Sequence, residues 1–485
     1  MRNLELSPEA IRELGEQVTA FVTRYLSTLS TTRITPEGLD AQALQRLLDE
    51  PVPYQSQGVD RALSDFEEKI AANAVRIGHP RFFAWVRTSP LAGAVFAEAL
   101  AAALNQSVAV WQGAPSATEA ERLVVRWLRE IAGFAPTADG LLTSGGSMAN
   151  FIALLAARQA AFPQVRQEGL RHAPDLTVYL TDQSHYSVIK AVEMIGLGRR
   201  ALHFVPTDEA FRMDPDALRE AIRADRHAGR QPMAVIATLG TTNTGACDDL
   251  VALAQVCAEE GVWLHVDGAY GGIVASIPGY AHLARGLPLA DSLTIDPHKT
   301  LFVPFEAGAV LLRDPRWLPA TFRISADYLP GLGEDPHFHF RDYGPQLSRM
   351  FRALKIYLTL KIYGFDAIRQ AMAETFRLAQ RFAEMVKKAQ DFELLAPVPL
   401  GIVTFRYRGT GEQRLSREAL NPLNAALARE VQKRGQVFLA STRLRGQTVL
   451  RAAFLSYRTS EADIPLVLEE IRTVVAALGK SMPGT

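Results

Sequence analysis

The sequence predicts an α/β fold: a mostly parallel central sheet with helices on both faces, a helical N-terminal segment before it and a small α+β domain after it. Three observations carry this. From about residue 120, short apolar runs alternate with helical stretches, the pattern of βα units. The first 80 or so residues read as helices broken by Pro/Gly segments. After about residue 365, helices and strands follow one another without strict alternation. The expected divisions are 1–85, 86–364 and 365–485.

The N-terminal segment contains "SPEAIRELGEQVTAFVTRYLSTL", with Ser7 placed to cap a helix and Pro8 to start it. Ala10 stands where Glu or Gln would complete a capping box. Ile11, Leu14, Val18, Phe21, Val22 and Tyr25 form one helical stripe. That stripe needs a covering surface, from the same chain or from a second subunit. In the central region "GLLTS" (140–144) precedes "MANFIALLAARQA" and "TVYLTDQ" (177–183) precedes "YSVIKAVEMIG". "ALHFVPTD" precedes "DPDALREAIRADRHAG", and "MAVIATLGTT" precedes "DLVALAQVCAEEG". "WLHVDGAY", "SLTIDPHK" and "GAVLLRD" follow. In parallel sheets ligands bind beyond the carboxyl ends of the strands, and the unusual residues of this chain sit there. "RMFRALKIYLTLKIYG" reads as a long helix leaving this body, followed by strand-like "GIVTFRYRG", "QVFLAST" and "TVLRAAFLSYRT" and a closing helix "EADIPLVLEEIRTVVAAL".

Composition narrows the function classes. Of 485 residues 48% are hydrophobic, enough for a large core. Lys+Arg and Asp+Glu are 52 each, so there is no basic excess of the kind nucleic-acid binders show. There is no polybasic run for anionic membranes. The two cysteines, Cys247 and Cys257, are no disulfide framework, and no Cys/His cluster suggests a metal. "MRNLELSPEA" lacks the apolar core of a signal peptide, and no run of about 18 apolar residues suggests a membrane span. A soluble cytoplasmic protein is expected.

Five motifs carry chemistry. "SLTIDPHKTLFVPFEAG" sets Lys299 between two apolar runs. An isolated lysine there reads as a solvated turn; alternatively its charge is lost to a Schiff base. "TSGGSMAN" (143–150) passes from a strand through Gly145 and Gly146 to a helix beginning near Ser147. That is either a phosphate cradle or an ordinary capped turn. It carries neither a Walker lysine nor G-x-G-x-x-G. "WLHVDGAYGG" ends a strand on Asp267, a carboxylate that needs a cation or N–H donors, or else caps the next turn. "TDQSHYSVIK" sets His185 between a strand and a helix, and "GTTNTGA" adds Thr241 and Thr242 as small donors. One rim would thus offer a phosphate cradle, a buried acid, a flat imidazole and a lysine. Together these match pyridoxal 5'-phosphate: lysine for the imine, acid for the ring nitrogen, imidazole for stacking.

"TSGGSMAN", "HVDGAYGG", "DPHKTLFVPFEAG" and "SRMFRALKIYLTLKIYG" closely resemble the group II pyridoxal-phosphate-dependent amino-acid decarboxylases, which include aromatic L-amino-acid, tyrosine, glutamate and diaminobutyrate decarboxylases. The resemblance runs from about "HPRFFAW" (79–85) to the C-terminus. It implies a fold-type I, PLP-dependent transferase-like architecture and a homodimer with its sites at the subunit interface. It implies that Lys299 forms the Schiff base, Asp267 pairs with the pyridine nitrogen and His185 stacks on the ring. Gly146 and Ser147 hold phosphate with help from His298, Thr241 and Asp296 line the cofactor site, and Thr88 faces the substrate carboxylate. Tyr328, in "RISADYLPGLG", matches the loop tyrosine that returns a proton to the carbanion; relatives that make aldehydes replace it.

The chain also departs from the family. Ser107 and Ala109 stand where bulkier residues would line the substrate pocket from the partner subunit. Gly268 replaces the usual alanine, and Thr300 a common tryptophan. Ser348 falls where a glycine-or-serine choice is linked, in plant relatives, to indolic or phenolic substrates. The resulting expectation is decarboxylation of an L-amino acid, aromatic first: tyrosine, DOPA or tryptophan. The alternatives are an acidic or diamino substrate, an aldehyde synthase, a transaminase or desulfurase, and a catalytically silent scaffold.

Overall fold

The apolar runs of the central region form seven strands: β1 (Asp139–Thr143), β2 (Leu176–Leu180), β3 (Leu202–Phe204), β4 (Gln231–Thr238), β5 (Trp263–Asp267), β6 (Ser292–Ile295) and β7 (Gly308–Leu312). They make one sheet in the order β1-β7-β6-β5-β4-β2-β3. The pairs β2/β3, β2/β4, β4/β5 and β5/β6 are parallel. β7 runs antiparallel to both β1 and β6. The sheet is therefore mostly parallel, as the βα alternation predicts. β2, β6 and β7 are buried along their whole length. That is the mark of a strand covered on both faces, and it explains why these stretches read as unbroken apolar runs.

Register sets the position of the site. Thr238 pairs with Asp267, and Asp267 pairs with Thr294, so β4, β5 and β6 end in one row. The expected "ALHFVPTD" strand shrinks to the three residues of edge strand β3. The expected long helix over 349–364 is confined to Ala353–Tyr363 and closes at Gly364, whose φ of +73° suits a residue without a Cβ. A separate helix, Phe365–Lys388, follows.

This computed structural model describes residues 4–38, 40–324, 337–409 and 416–481. It divides into two compact units. The larger comprises Val86–Glu384 and Leu394–Thr404 and holds the seven-stranded sheet. The smaller comprises Met1–Trp85, Met385–Glu393 and Phe405–Thr485. In the smaller unit Ser7 caps the helix Pro8–Thr28, its Oγ accepting from the Ala10 N–H at 3.2 Å. The N-terminal segment and the C-terminal region share a core there, in which Ile34, Phe82 and Ala84 pack with Phe438 and Ala440. Strands Ala440–Leu444 and Gln447–Ala453 form an antiparallel hairpin in the same unit. No helix among the described residues is long and apolar enough to cross a membrane.

Candidate active site

A cavity of ≈ 440 Å³ opens at the carboxyl ends of the strands, wholly within the larger unit. Its walls bring together Gly146, Ser147, His185, Asp267, Asp296, His298 and Lys299. They arrive from the ends of four strands, β1, β2, β5 and β6, or from the turns just after them, as expected for a parallel sheet.

Beyond β1 the chain turns through Gly145 into the 16-residue helix Gly146–Ala161. Free N–H groups at that helix start are anion donors. A Cβ on Gly146 would lie 3.0 Å from the Asp296 carboxylate and 3.2 Å from Ala269 Cβ, so a side chain there would close the cradle. A Cβ at Gly268 would come within 2.8 Å of Leu293 Cδ1 and 2.9 Å of the Thr294 carbonyl. The departure from alanine is thus fixed by close packing of β5 on β6.

Asp267 is buried. Its Oδ2 accepts from the Asn150 side-chain amide at 2.9 Å and its Oδ1 from the Ala269 N–H at 3.1 Å. Among the described residues no lysine or arginine approaches it within ion-pair distance. Asp296 is also buried, but its Oδ2 lies 2.9 Å from Lys299 Nζ and 3.5 Å from His298 Nε2. Its Oδ1 is buried without a hydrogen-bond partner. Burial pushes the His298 imidazole down to about 4 despite the nearby Asp296. His298 is therefore neutral, with Nδ1 facing the Ala307 N–H at 3.3 Å and the proton on Nε2.

His185 caps the helix Tyr186–Met194, its Nδ1 facing the Ser187 N–H at 3.3 Å and the Ser187 hydroxyl at 2.7 Å. Burial lowers its pKa, with Asp267 opposing. A neutral, edge-held imidazole of this kind suits stacking on a flat ring.

Other expected residues fall elsewhere. Thr241 is buried just behind the wall, its hydroxyl bonded to Thr244 and to the Ala246 N–H; Gly240 and Thr242 face the cavity. Thr88 is buried with its hydroxyl 3.5 Å from the Ser89 carbonyl, while its neighbour Arg87 lines the cavity. Ser348 does not line it, and neither do Ser107 and Ala109, which the resemblance assigns to the pocket of the partner subunit. Their segments meet instead at Val108 and Arg349, which exchange backbone and side-chain hydrogen bonds of 2.9 and 2.7 Å. Arg349 is anchored by a buried ion pair to Glu121, and Glu121 accepts from the Leu142 N–H of β1. Tyr328 lies outside the described residues.

Sequence reasoning missed several lining residues, Arg87, Glu306 and Asn150 among them. Arg87 holds its guanidinium 5.1 Å from the centre of the Phe305 ring, and Glu306 follows Phe305 on the same wall. Asn150 also lines the cavity. It closes the "TSGGSMAN" stretch, and its polar side chain on an otherwise apolar helix face was the available signal.

The donor set fits pyridoxal phosphate. Gly146 and Ser147 would hold the phosphate, Lys299 the aldehyde carbon, Asp267 the ring nitrogen and His185 the ring face. A family model described as the pyridoxal-dependent decarboxylase conserved domain matches residues 41–408. The chain is 35% identical over 484 residues to the aromatic-L-amino-acid decarboxylase of Bacillus atrophaeus, covering 99% of this chain and 98% of that one. Its structure is similar to that of TDC from Oryza sativa, solved with PLP and tryptamine, with a TM-score of 0.92 at 27% identity over 98% of this chain and 99% of the other. It is also similar to mouse CSAD, with a TM-score of 0.90 at 28% identity over 96% and 99% of the two chains.

Proposed function

Since this chain belongs to the pyridoxal-dependent decarboxylase family and is a PLP-dependent decarboxylase of amino acids, we propose that its substrate is an aromatic L-amino acid, converted to the amine and CO2. The observation that carries this reading is near end-to-end identity of 35% with a relative named for aromatic substrates. A cavity wall that offers the Phe305 ring to a substrate side chain supports it.

When bound, pyridoxal phosphate supplies an electron-accepting ring that stabilises the negative charge left at Cα as CO2 departs. The chain's residues supply the rest. The helix start at Gly146 and Ser147 binds phosphate through N–H groups and the Ser147 hydroxyl. Asp267 holds a proton at the ring nitrogen, which keeps the ring able to accept electrons. Lys299 is the attachment point, and Asp296 holds its ammonium when the amine is free. His185, neutral, packs on the ring. Tyr328 is the group we assign to return the proton to Cα.

Arg87 favours one second reading. A guanidinium on the cavity wall could hold a side-chain carboxylate, which would make the substrate an acidic amino acid. A desulfurase is disfavoured, because burial pushes the Cys247 thiol up to about 12 and Cys257 is buried in the helix Leu250–Glu260.

We further propose a homodimer. The helix Pro8–Thr28 buries none of its residues, and Ile11 and Val18 of its apolar stripe are exposed. A second copy of the chain is the partner the resemblance implies, and light scattering should give twice the mass of one chain.

The test is a panel of L-amino acids with holoenzyme, with CO2 and organic product quantified. Amine from tyrosine, DOPA or tryptophan is expected, and Tyr328→Phe should divert product to aldehyde and ammonia. Turnover confined to glutamate or aspartate would replace the aromatic reading with the acidic one.

A further inference from the structure

We infer that Asn150 is a positioning residue whose side-chain amide, clamped from behind, fixes the Asp267 carboxylate in the orientation and charge that the cofactor's ring nitrogen requires. The inference rests on Asp267 being the ring-nitrogen partner.

Asn150 is buried between the cavity and the sheet and makes four side-chain contacts. Its Nδ2 donates to Asp267 Oδ2 at 2.9 Å and to Ser187 Oγ at 3.2 Å. Its Oδ1 accepts from the Thr294 hydroxyl at 2.7 Å and faces His265 Nε2 at 3.0 Å. The amide cannot be turned round. A flip would set its oxygen against the carboxylate and its NH₂ against the hydrogens of His265 and Thr294.

The clamp has its own backing. His265 is fully buried, and burial pushes its imidazole down to about 4, so it is neutral. Nε2 faces a carbonyl oxygen and must carry the single ring proton. Nδ1 then accepts from the Ser292 hydroxyl at 2.8 Å, and the Ser292 oxygen in turn accepts from Trp263 Nε1–H at 2.8 Å. Trp263, Ser292, His265 and Asn150 thus form a run in which every donor points towards Asp267.

A neutral donor matters at this place. A cation beside Asp267 would compete with the protonated ring nitrogen for its charge. The Asn150 dipole instead replaces lost hydration without neutralising the anion, which leaves the carboxylate able to hold a proton on the ring. Residues that merely filled space behind Asp267 would not need this order of donors.

The test uses holoenzyme loaded with pyridoxal phosphate labelled with 15N in the ring. Solid-state 15N spectra read ring protonation, and absorbance titration reads the cofactor Kd. Asn150→Ala is expected to raise Kd about tenfold to a hundredfold, the effect of a lost bond to a charged group, and to move the ring 15N signal towards the deprotonated position. Thr294→Val, which removes one donor to Oδ1 at constant shape, should move both readouts the same way, with Kd changing roughly threefold. Wild-type signal and Kd in Asn150→Ala would overturn the inference. Should that variant fail to fold, Thr294→Val decides alone, and an unchanged signal would overturn it. A deprotonated ring in the wild-type enzyme would instead sink the pairing of Asp267 with the ring nitrogen.

Discussion

Asp267 and Asp296 face the same cavity, are both buried, and are held in opposite ways. Asp267 is held by neutral donors, the Asn150 amide and the Ala269 N–H, and among the described residues has no lysine or arginine as partner. Asp296 lies against the Lys299 ammonium and keeps one oxygen without a partner. An anion solvated by fixed dipoles retains its charge for something that arrives later. An anion paired with a movable lysine has its charge spoken for until that lysine reacts. On the proposed reading, the two acids are one permanent site for a cationic ring atom and one resting place for an amine.

Substitution can break this distinction. Asp267→Asn keeps shape and loses charge. It should cut kcat by on the order of a thousandfold, because the ring loses its proton partner; steady-state decarboxylation measures it. Asp296→Asn should cost far less, about tenfold in kcat/KM, because a neutral amide can still accept from Lys299. Equal losses in the two variants would mean that the carboxylates share one job.

A smaller effect sharpens the picture of a dry site. His265 and His298 sit at about 4 when folded and near 6.5 when the chain is unfolded. Between those values the unfolded state binds more protons. The stability tied to keeping both neutral is complete above pH 6.5 and is lost as pH falls towards 4. Urea unfolding should show a loss of about 1.5 kcal/mol between pH 7.5 and pH 6 from these two imidazoles. A flat profile would mean that these imidazoles take up protons in the folded protein as they do in the unfolded chain.

Much of the site could be read in advance, because each major residue ends a strand. Lys299, Asp267, His185 and the Gly146–Ser147 turn follow apolar runs whose alternation with helices fixes a parallel sheet, and a parallel sheet brings its carboxyl ends together. What could not be read depends on contacts without periodicity. Asn150 reaches Asp267 across 117 residues, and nothing in local spacing announces that pair. Arg87 lines the cavity while Thr88 turns inward, a choice made by one residue's rotation along an irregular loop. Ser348 lies on a segment tied to Val108 through Arg349, a pairing set by the buried Glu121 carboxylate. The helix over 353–363 is shorter than its apolar run, because apolar residues alone do not say where a helix begins.

The run of donors behind Asp267 also separates orientation from conduction. A hydroxyl or an imidazole can take a proton on one side and release it on the other, but a side-chain amide cannot do so without passing through a high-energy tautomer. Asn150 stands between His265 and Asp267. It therefore works as an electrical insulator in an otherwise protic line. Protons cannot be relayed to Asp267 along this line from Trp263.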